Sequence, residues 1–517
     1  MTRNTKKLLI IIGSVAAIFI AAFFFANHFV EKKVSQRLGD LPDHIKINYE
    51  ELDIHLLGSR LDLKAPKVKV FSKITADRLN LEMSMDNLAI DGLSYWDYLF
   101  NDAVTIENIV FDNFKTSYRH NPEVKQKDYK TEVSKNLGKT YHVNIISLRN
   151  GSFEMIGDGA DSLQLKVLNM SLDLKEVSLN NQTKEGKVPF KLKDFDLKVD
   201  SLFYAMNDFE NLEVGSIDAS MGQTRASQLR LKTKYSRATM DEMIETERDH
   251  FNLEVKSIQV SDQDFGYIND STPYFKTGSI KIQQPEFAIY RNKLIADDQT
   301  IKALYSEQLR DLNLQLTIPS VEIEKGAIEY AEKTTEGNPA GTINFTNLNA
   351  TIENLSNTYP KGELTQIEVQ STFMNETSID VQWNFDVNNT ADYFTFQGNV
   401  GSMPVESLNS FIKPNEGVKL KGELLKTYFT IQGNREQSDI DFKIDYDDFE
   451  VVILKDDGTE ESGFLSAVAN IFVKKSSQNE DADFRKSSKS TIQRDKTKSV
   501  FNYVWISIAA GLKGAMM

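Results

Sequence analysis

Residues 321–330 read VEIEKGAIEY, and counted from Val321 the apolar positions fall at offsets 0, 2, 7 and 9. A β-strand alternates with period two, so the apolar parity flips midway. A two-residue turn at Lys325-Gly326 accounts for the flip. Ile323 then faces Ile328, Val321 faces Tyr330, and all four side chains share one face of a hairpin while the glutamates take the other.

The offsets recur. Residues 146–155 (ISLRNGSFEM), 258–267 (IQVSDQDFGY) and 280–289 (IKIQQPEFAI) carry apolar residues at the same four positions, and 109–118 (IVFDNFKTSY) at three or four of them. Asn150-Gly151 is a strong hairpin signal because both central residues of the favoured turn need positive φ. Gln284-Pro285 does not suit that turn, so this copy is expected to bend differently. Similarity extends further: LQLKVLNMSLDLKEVSL (163–179) follows one copy and GTINFTNLNATIENLS (341–356) another. The same period-two writing covers 78–88, 191–199, 228–234, 368–374, 379–387, 393–400 and 439–446. Helical candidates are short, at 94–100, 238–248, 300–313 and 405–411, besides the two ends. The sequence predicts a mainly β, overwhelmingly antiparallel body with repeats around 109–180 and 258–356.

The 517 residues are 40% hydrophobic and 26% charged, the composition of a folded chain. The formal net charge of -15 argues against nucleic acid as a partner. Zero cysteines removes disulfides, thiolate metal sites and thiol nucleophiles together. Residues 8–26, LLIIIGSVAAIFIAAFFFA, carry no charge, and 19 residues of helix span roughly 28 Å, about one hydrocarbon thickness. A secretory signal would have a shorter apolar region and a small-residue cleavage site, so an uncleaved anchor over 8–30 is expected, including Leu8, Ile12, Ile18 and Phe24. Basic residues on both sides of it leave orientation undecided by charge.

Residues 474–499 are polar and of low complexity, which reads as a linker before VFNYVWISIAAGLKGAMM. On a helix over 500–517, Phe501, Val504, Trp505, Ile508, Leu512 and Met516 form one stripe. It would pack on the sheet, cap its open end or touch a membrane interface.

Motifs for chemistry are missing. The six histidines are scattered without ligand spacing, and no nucleophile elbow, phosphate-cradling loop or dinucleotide fingerprint occurs. Acidic residues such as those of DIDFKIDYDD (439–448) alternate with apolar ones and so take the solvent side of a strand. The reading is of a non-enzyme with no catalytic residues, no metal and no cofactor.

Each strand offers one apolar and one polar face, and an apolar face of that size must be covered. A β-sandwich would seal it with a second sheet. A sheet curled into a groove would instead shelter lipid acyl chains. The residues expected to line such a groove are Ile146, Leu148, Phe153, Met155, Ile258, Val260, Phe265, Tyr267, Val321, Ile323, Ile328 and Tyr330.

The chain resembles the AsmA-like family of envelope proteins in its Bacteroidota form. The resemblance lies in the anchor followed by HIKINYEELDIHLLGSRLDLKAPKV (44–70), in residues 287–332 with GTINFTNLNATIENLSN, in 396–434 and in RDKTKSVFNYVWISIAAGLKG (494–514). It implies a cytoplasmic stub (1–7), a single-pass bacterial inner-membrane anchor and a periplasmic β-groove body (31–473), followed by the polar linker and the C-terminal helix. It also implies kinship with bridge-like lipid transfer proteins. The expected fold is an elongated antiparallel sheet curled into an apolar groove. The expected role is outer-membrane biogenesis by conducting or holding phospholipid, with envelope assembly proteins as further candidate partners. The rival is a structural adaptor built of β-sandwich modules.

Overall fold

The computed structural model describes residues 44–55, 58–72, 78–119, 139–157, 162–269, 271–454 and 484–516. The expected anchor, with Leu8, Ile12, Ile18 and Phe24, lies outside the described residues. Among the described residues no helix is long and apolar enough to cross a membrane. The chain is mainly β, with 28 strands and a few short helices among the described residues.

The stretch 321–330 is not a hairpin. It lies inside one 19-residue strand, Gln315–Lys333, and Lys325 alone has a left-handed backbone, at φ 54°. Pairing with Gly341–Ser356 slips on both sides of Gly326, the mark of a β-bulge. A bulge inserts one residue without reversing the chain and shifts parity just as a two-residue turn would. The four apolar side chains therefore do share a face, but along a single strand.

Every copy follows the same rule. The residue at offset 4 is left-handed in each: Asn113 (52°), Asn150 (49°), Asp262 (53°), Gln284 (49°) and Lys325 (54°). Asn and Asp tolerate that backbone best among residues with a Cβ. The glycine that follows has another task. A Cβ on Gly151 would sit 1.8 Å from the Phe114 ring, and one on Gly326 would sit 3.1 Å from the Pro285 ring. Asn150-Gly151 thus marks a bulge beside a close neighbour, and the expected turn is corrected.

The body is overwhelmingly antiparallel, as expected, but the sheet also holds four parallel pairings. Ala103–Asp112 and Lys115–Arg119 run parallel to Thr140–Ile156, and Thr272–Lys276 and Ser279–Asn292 run parallel to Gln315–Lys333. Parallel neighbours need a crossover, and residues 293–314 supply one, including the helix Tyr305–Arg310. Each parallel partner then pairs antiparallel with the next long strand, Leu163–Leu179 or Gly341–Ser356. The two repeats are two copies of this motif.

The linker expectation fails over part of its length. Arg485–Gln493 is a strand paired with Gln437–Ile453. Its polar side chains suit a strand whose neighbour offers carboxylates: Ser488 Oγ donates to Asp441 at 2.5 Å and the Thr491 N–H to Asp439 at 2.9 Å. Residues 474–483 lie outside the described residues.

The chain divides into two compact units. The first holds the described residues up to Gln228 together with Tyr267–Thr272, and the second holds Leu229–Gly266 and the described residues from Pro273 onward.

In the first unit the interruptions align into a crease. Ala65, Asn113, Asn150 and Asn169 are left-handed, and the backbone is stitched along the line by Ala65 N–H to Asp86 O (2.9 Å), Asp86 N–H to Asp112 O (3.0 Å) and Asn113 N–H to Arg149 O (3.0 Å). Asn113 Nδ2 donates to Asp86 at 2.8 Å and Asn169 Nδ2 to Asp200 at 3.1 Å. Aligned bulges bend every strand at one level. One side of the crease carries the row Leu63, Leu88, Phe111, Leu148, Leu172. The other carries Val68, Met83, Thr116, Phe153, Val167. The apolar members of both rows belong to one core, with Leu172 packed at its margin. Residues from both sides of the crease thus share one buried core.

A one-sided apolar face as the candidate functional site

In the second unit, strand register sorts side chains by face with little exception. Paired residues point the same way. One row crosses nine strands as Val260, Ile280, Val321, Ile352, Ile367, Trp383, Phe396, Ile431 and Ile440. The adjacent register positions point the other way and read Gln259, Lys281, Glu322, Thr351, Glu368, Gln382, Gln397, Thr430, Asp441 and Ser488. One face is largely apolar, with Thr365, Ser371, Thr427 and Ser438 among its exceptions, and the other is largely polar. On the polar face Lys281 bridges Glu324 at 2.5 Å and Glu322 at 3.5 Å.

Cover is unequal along the apolar row. Trp383, Phe396, Ile431 and Ile440 are buried, whereas Val260, Ile280, Ile352 and Ile367 are only half-buried. The difference is the helix Val500–Met516, whose buried residues include Tyr503, Val504, Ser507 and Gly511 and which shares one core with Phe396, Ile431, Ile440 and Phe442. Small residues set the contact line. A Cβ on Gly511 would lie 2.8 Å from Phe442 Cβ, and Ser507 Oγ meets Ser438 Oγ at 2.8 Å. The expected stripe is corrected accordingly. Val504 is buried, and Ile508 and Leu512 pack partly against the core. Phe501 and Trp505 stand outside the contact, 60% and 48% exposed, because Ser507 and Gly511, not the bulky residues, permit close approach.

Where the cover stops, aromatic rings gather. Trp383 lies 5.4 Å from Tyr305 and 6.4 Å from Phe501 by ring centroids, and Trp505 lies 6.3 Å from Phe411. The Trp383 indole N–H is buried without a hydrogen-bond partner. Beside it the crossover is fixed by Asp392, fully buried, which accepts from Ser306 Oγ (2.9 Å), Arg310 Nη2 (3.0 Å) and Arg435 Nη2 (2.7 Å).

The residues expected to line a groove separate into two sets. Ile258, Val260, Val321, Ile323, Ile328 and Tyr330 share the apolar face of the second unit, Val321 buried and the others half-buried. Burial pushes the Tyr330 phenol well above its usual range, helped by its hydrogen bond to the Glu332 carboxylate. Phe265, in the same unit, is 44% exposed, and Tyr267, half-buried, belongs to the first unit. Ile146, Leu148, Phe153 and Met155 are 1%, 1%, 6% and 1% exposed. Those four are buried in the first unit's core, which takes in residues from both sides of the crease, where an open groove lining was expected. The pattern missed Ile352, Ile367 and Trp383 as members of the face. Ile352 and Trp383 sit in segments already readable as strands and Ile367 just before one, but no spacing rule links them across strands.

Among the described residues no group of three or more His, Cys, Asp or Glu is placed to hold a metal ion. No protein-family model matches the chain, and no curated protein matches it.

Proposed function

We propose that this chain is a membrane-anchored, AsmA-like envelope protein that holds phospholipid acyl chains against the uncovered apolar face of its second unit, in support of outer-membrane biogenesis. One observation carries the reading: the row from Val260 to Ile367 is apolar on five neighbouring strands, and four of its five residues are only half-buried where its continuation from Trp383 to Ile440 is buried. At about 4.8 Å per strand the uncovered part is roughly 20 Å wide. Each methylene sheltered there is worth roughly 0.8 kcal/mol, so a two-chain lipid gains on the order of 20 kcal/mol before ordering costs. No catalytic group is required.

The sealed core of the first unit favours holding over conduction there, and it is also what the adaptor reading would have. The test is lipid analysis of the full chain purified in detergent, with Ile323→Asp and Ile367→Asp as variants. The reading expects co-purifying phospholipid that both variants lose while remaining folded. Absence of lipid from the parent protein, or lipid retained by both variants, would overturn it and leave the adaptor.

A further inference from the structure

The helix Tyr95–Phe100 of the first unit turns its aromatic residues outward. Trp96 is 67% and Phe100 65% exposed, with ring centroids 4.4 Å apart, and Tyr95 is exposed beside them. Two large rings in tilted contact, both largely exposed on a short helix, form an apolar patch that suits a partner. The helix is held firmly: Ser94 caps it by accepting from the Asp97 N–H, Asn101 Nδ2 donates to Asp97 at 2.8 Å, and Lys139 Nζ lies 3.6 Å from the Tyr98 ring centroid. The aromatic pair is thus presented on a fixed base with a cation alongside. An amphipathic aromatic pair with a nearby lysine suits the headgroup layer of a bilayer, where Trp and Tyr concentrate and anionic lipids attract cations.

Chain length points to the same occupant. The uncharged stretch 8–26 ends 17 residues before the first described residue, His44, a reach of at most roughly 60 Å. The helix joins Asn87–Asp91 to Ala103–Asp112, and Asn87–Asp91 is two pairings from Glu51–His55 through Arg60–Lys64, with Asp91 in register with Arg60 and His55. That places it about 10 Å across the sheet from the His55 end of that strand and roughly 30 Å along the chain from Ile45, within the reach of the preceding segment. We infer that Trp96 and Phe100 insert into the bilayer interface and fix the first unit against the membrane. The inference rests on the anchored reading but not on lipid holding.

The experiment uses the full chain reconstituted in vesicles of phosphatidylethanolamine and phosphatidylglycerol containing shallow-brominated lipid. Bromine should quench a component of the tryptophan emission that disappears in Trp96→Phe, and Phe100→Ser should weaken docking about tenfold. Emission from Trp96 that stays open to aqueous iodide and untouched by bromolipid overturns the inference. So does Trp96 shielding that grows with protein concentration without bromolipid quenching, which marks a second copy as the occupant. If the chain fails to stay with vesicles after alkaline washing, the anchored reading fails instead. Adding brominated vesicles to free protein then reads the patch alone, and quenching or its absence decides it.

Discussion

The two units write their strands alike and close them differently. In the first, one core takes in residues from both sides of the crease, and Ile146 and Leu148 are almost wholly buried in it. In the second, the equivalent strand carries the same bulge at Lys325, yet Ile323 and Ile328 remain half-buried. Its closure comes from a separate element, the helix Val500–Met516, over only part of the face. Alternation decides which side is apolar, but what covers that side is decided by long-range packing.

The sharpest way to break this contrast is to charge one residue in each region. Leu148→Asp buries a carboxylate without a partner and should cost at least about 3–5 kcal/mol, enough to unfold the first unit. Ile323→Asp can turn partly to solvent and should leave the protein folded. Urea denaturation followed by circular dichroism compares them directly. Equal losses would mean that the second unit's face is as sealed as the first unit's core.

The two glycines of the bulges give a finer comparison. A methyl at Gly151 would overlap the Phe114 ring, which is itself buried, so Gly151→Ala should lose about 3 kcal/mol. At Gly326 the neighbour is the Pro285 ring edge at 3.1 Å, and Gly326→Ala should lose about 1 kcal/mol. Phe114→Ala combined with Gly151→Ala should cost less than the sum of the two single changes, because the clash is then gone. Strict additivity in that cycle would show that the bulge glycine serves its backbone alone.

These glycines also mark how much was legible. Period and parity in VEIEKGAIEY correctly placed Val321, Ile323, Ile328 and Tyr330 on one face, since both a turn and a bulge shift parity by one. Nothing local separates the two, because the deciding contact, Phe114 over Gly151 or Pro285 over Gly326, comes from a neighbouring strand. The parallel pairings and the strand Arg485–Gln493 were hidden for a similar reason. A crossover and a polar edge strand leave no apolar periodicity to read.

The helix cover is the next place to press. Gly511→Val would drive a branched side chain against Ile440 and Phe442 and lift the helix, at about 2 kcal/mol. Binding of an apolar dye should rise, and hydrogen exchange should quicken over Phe394–Val400 and Gln437–Ile453 while the first unit's strands stay protected. Quickened exchange in Thr140–Ile156 as well would mean that closure in one unit supports the other.

The smallest expected effect concerns what holds that cover in place. The segment before the helix is strapped to the crossover: the Lys302 N–H donates to Lys496 O at 2.8 Å, Arg494 donates to the Lys302 carbonyl, and Lys498 meets Glu247 at 3.1 Å and Asp297 at 2.8 Å. Glu247, almost fully buried, also bridges Lys293 at 2.7 Å. Burial alone would raise its carboxyl, but the hydrogen bonds from Lys293 and Lys498 outweigh that and hold it below the usual range. A depressed folded-state value contributes stability above the unfolded carboxyl's pKa of about 4.3 and loses it as pH falls through the lower folded value. Glu247→Gln should therefore cost about 1 kcal/mol at neutral pH, and the gap between parent and variant should narrow as pH drops below about 4. A gap in urea midpoint that stays constant from neutral to acid pH would show that the two lysines hold a shape there, not a charge.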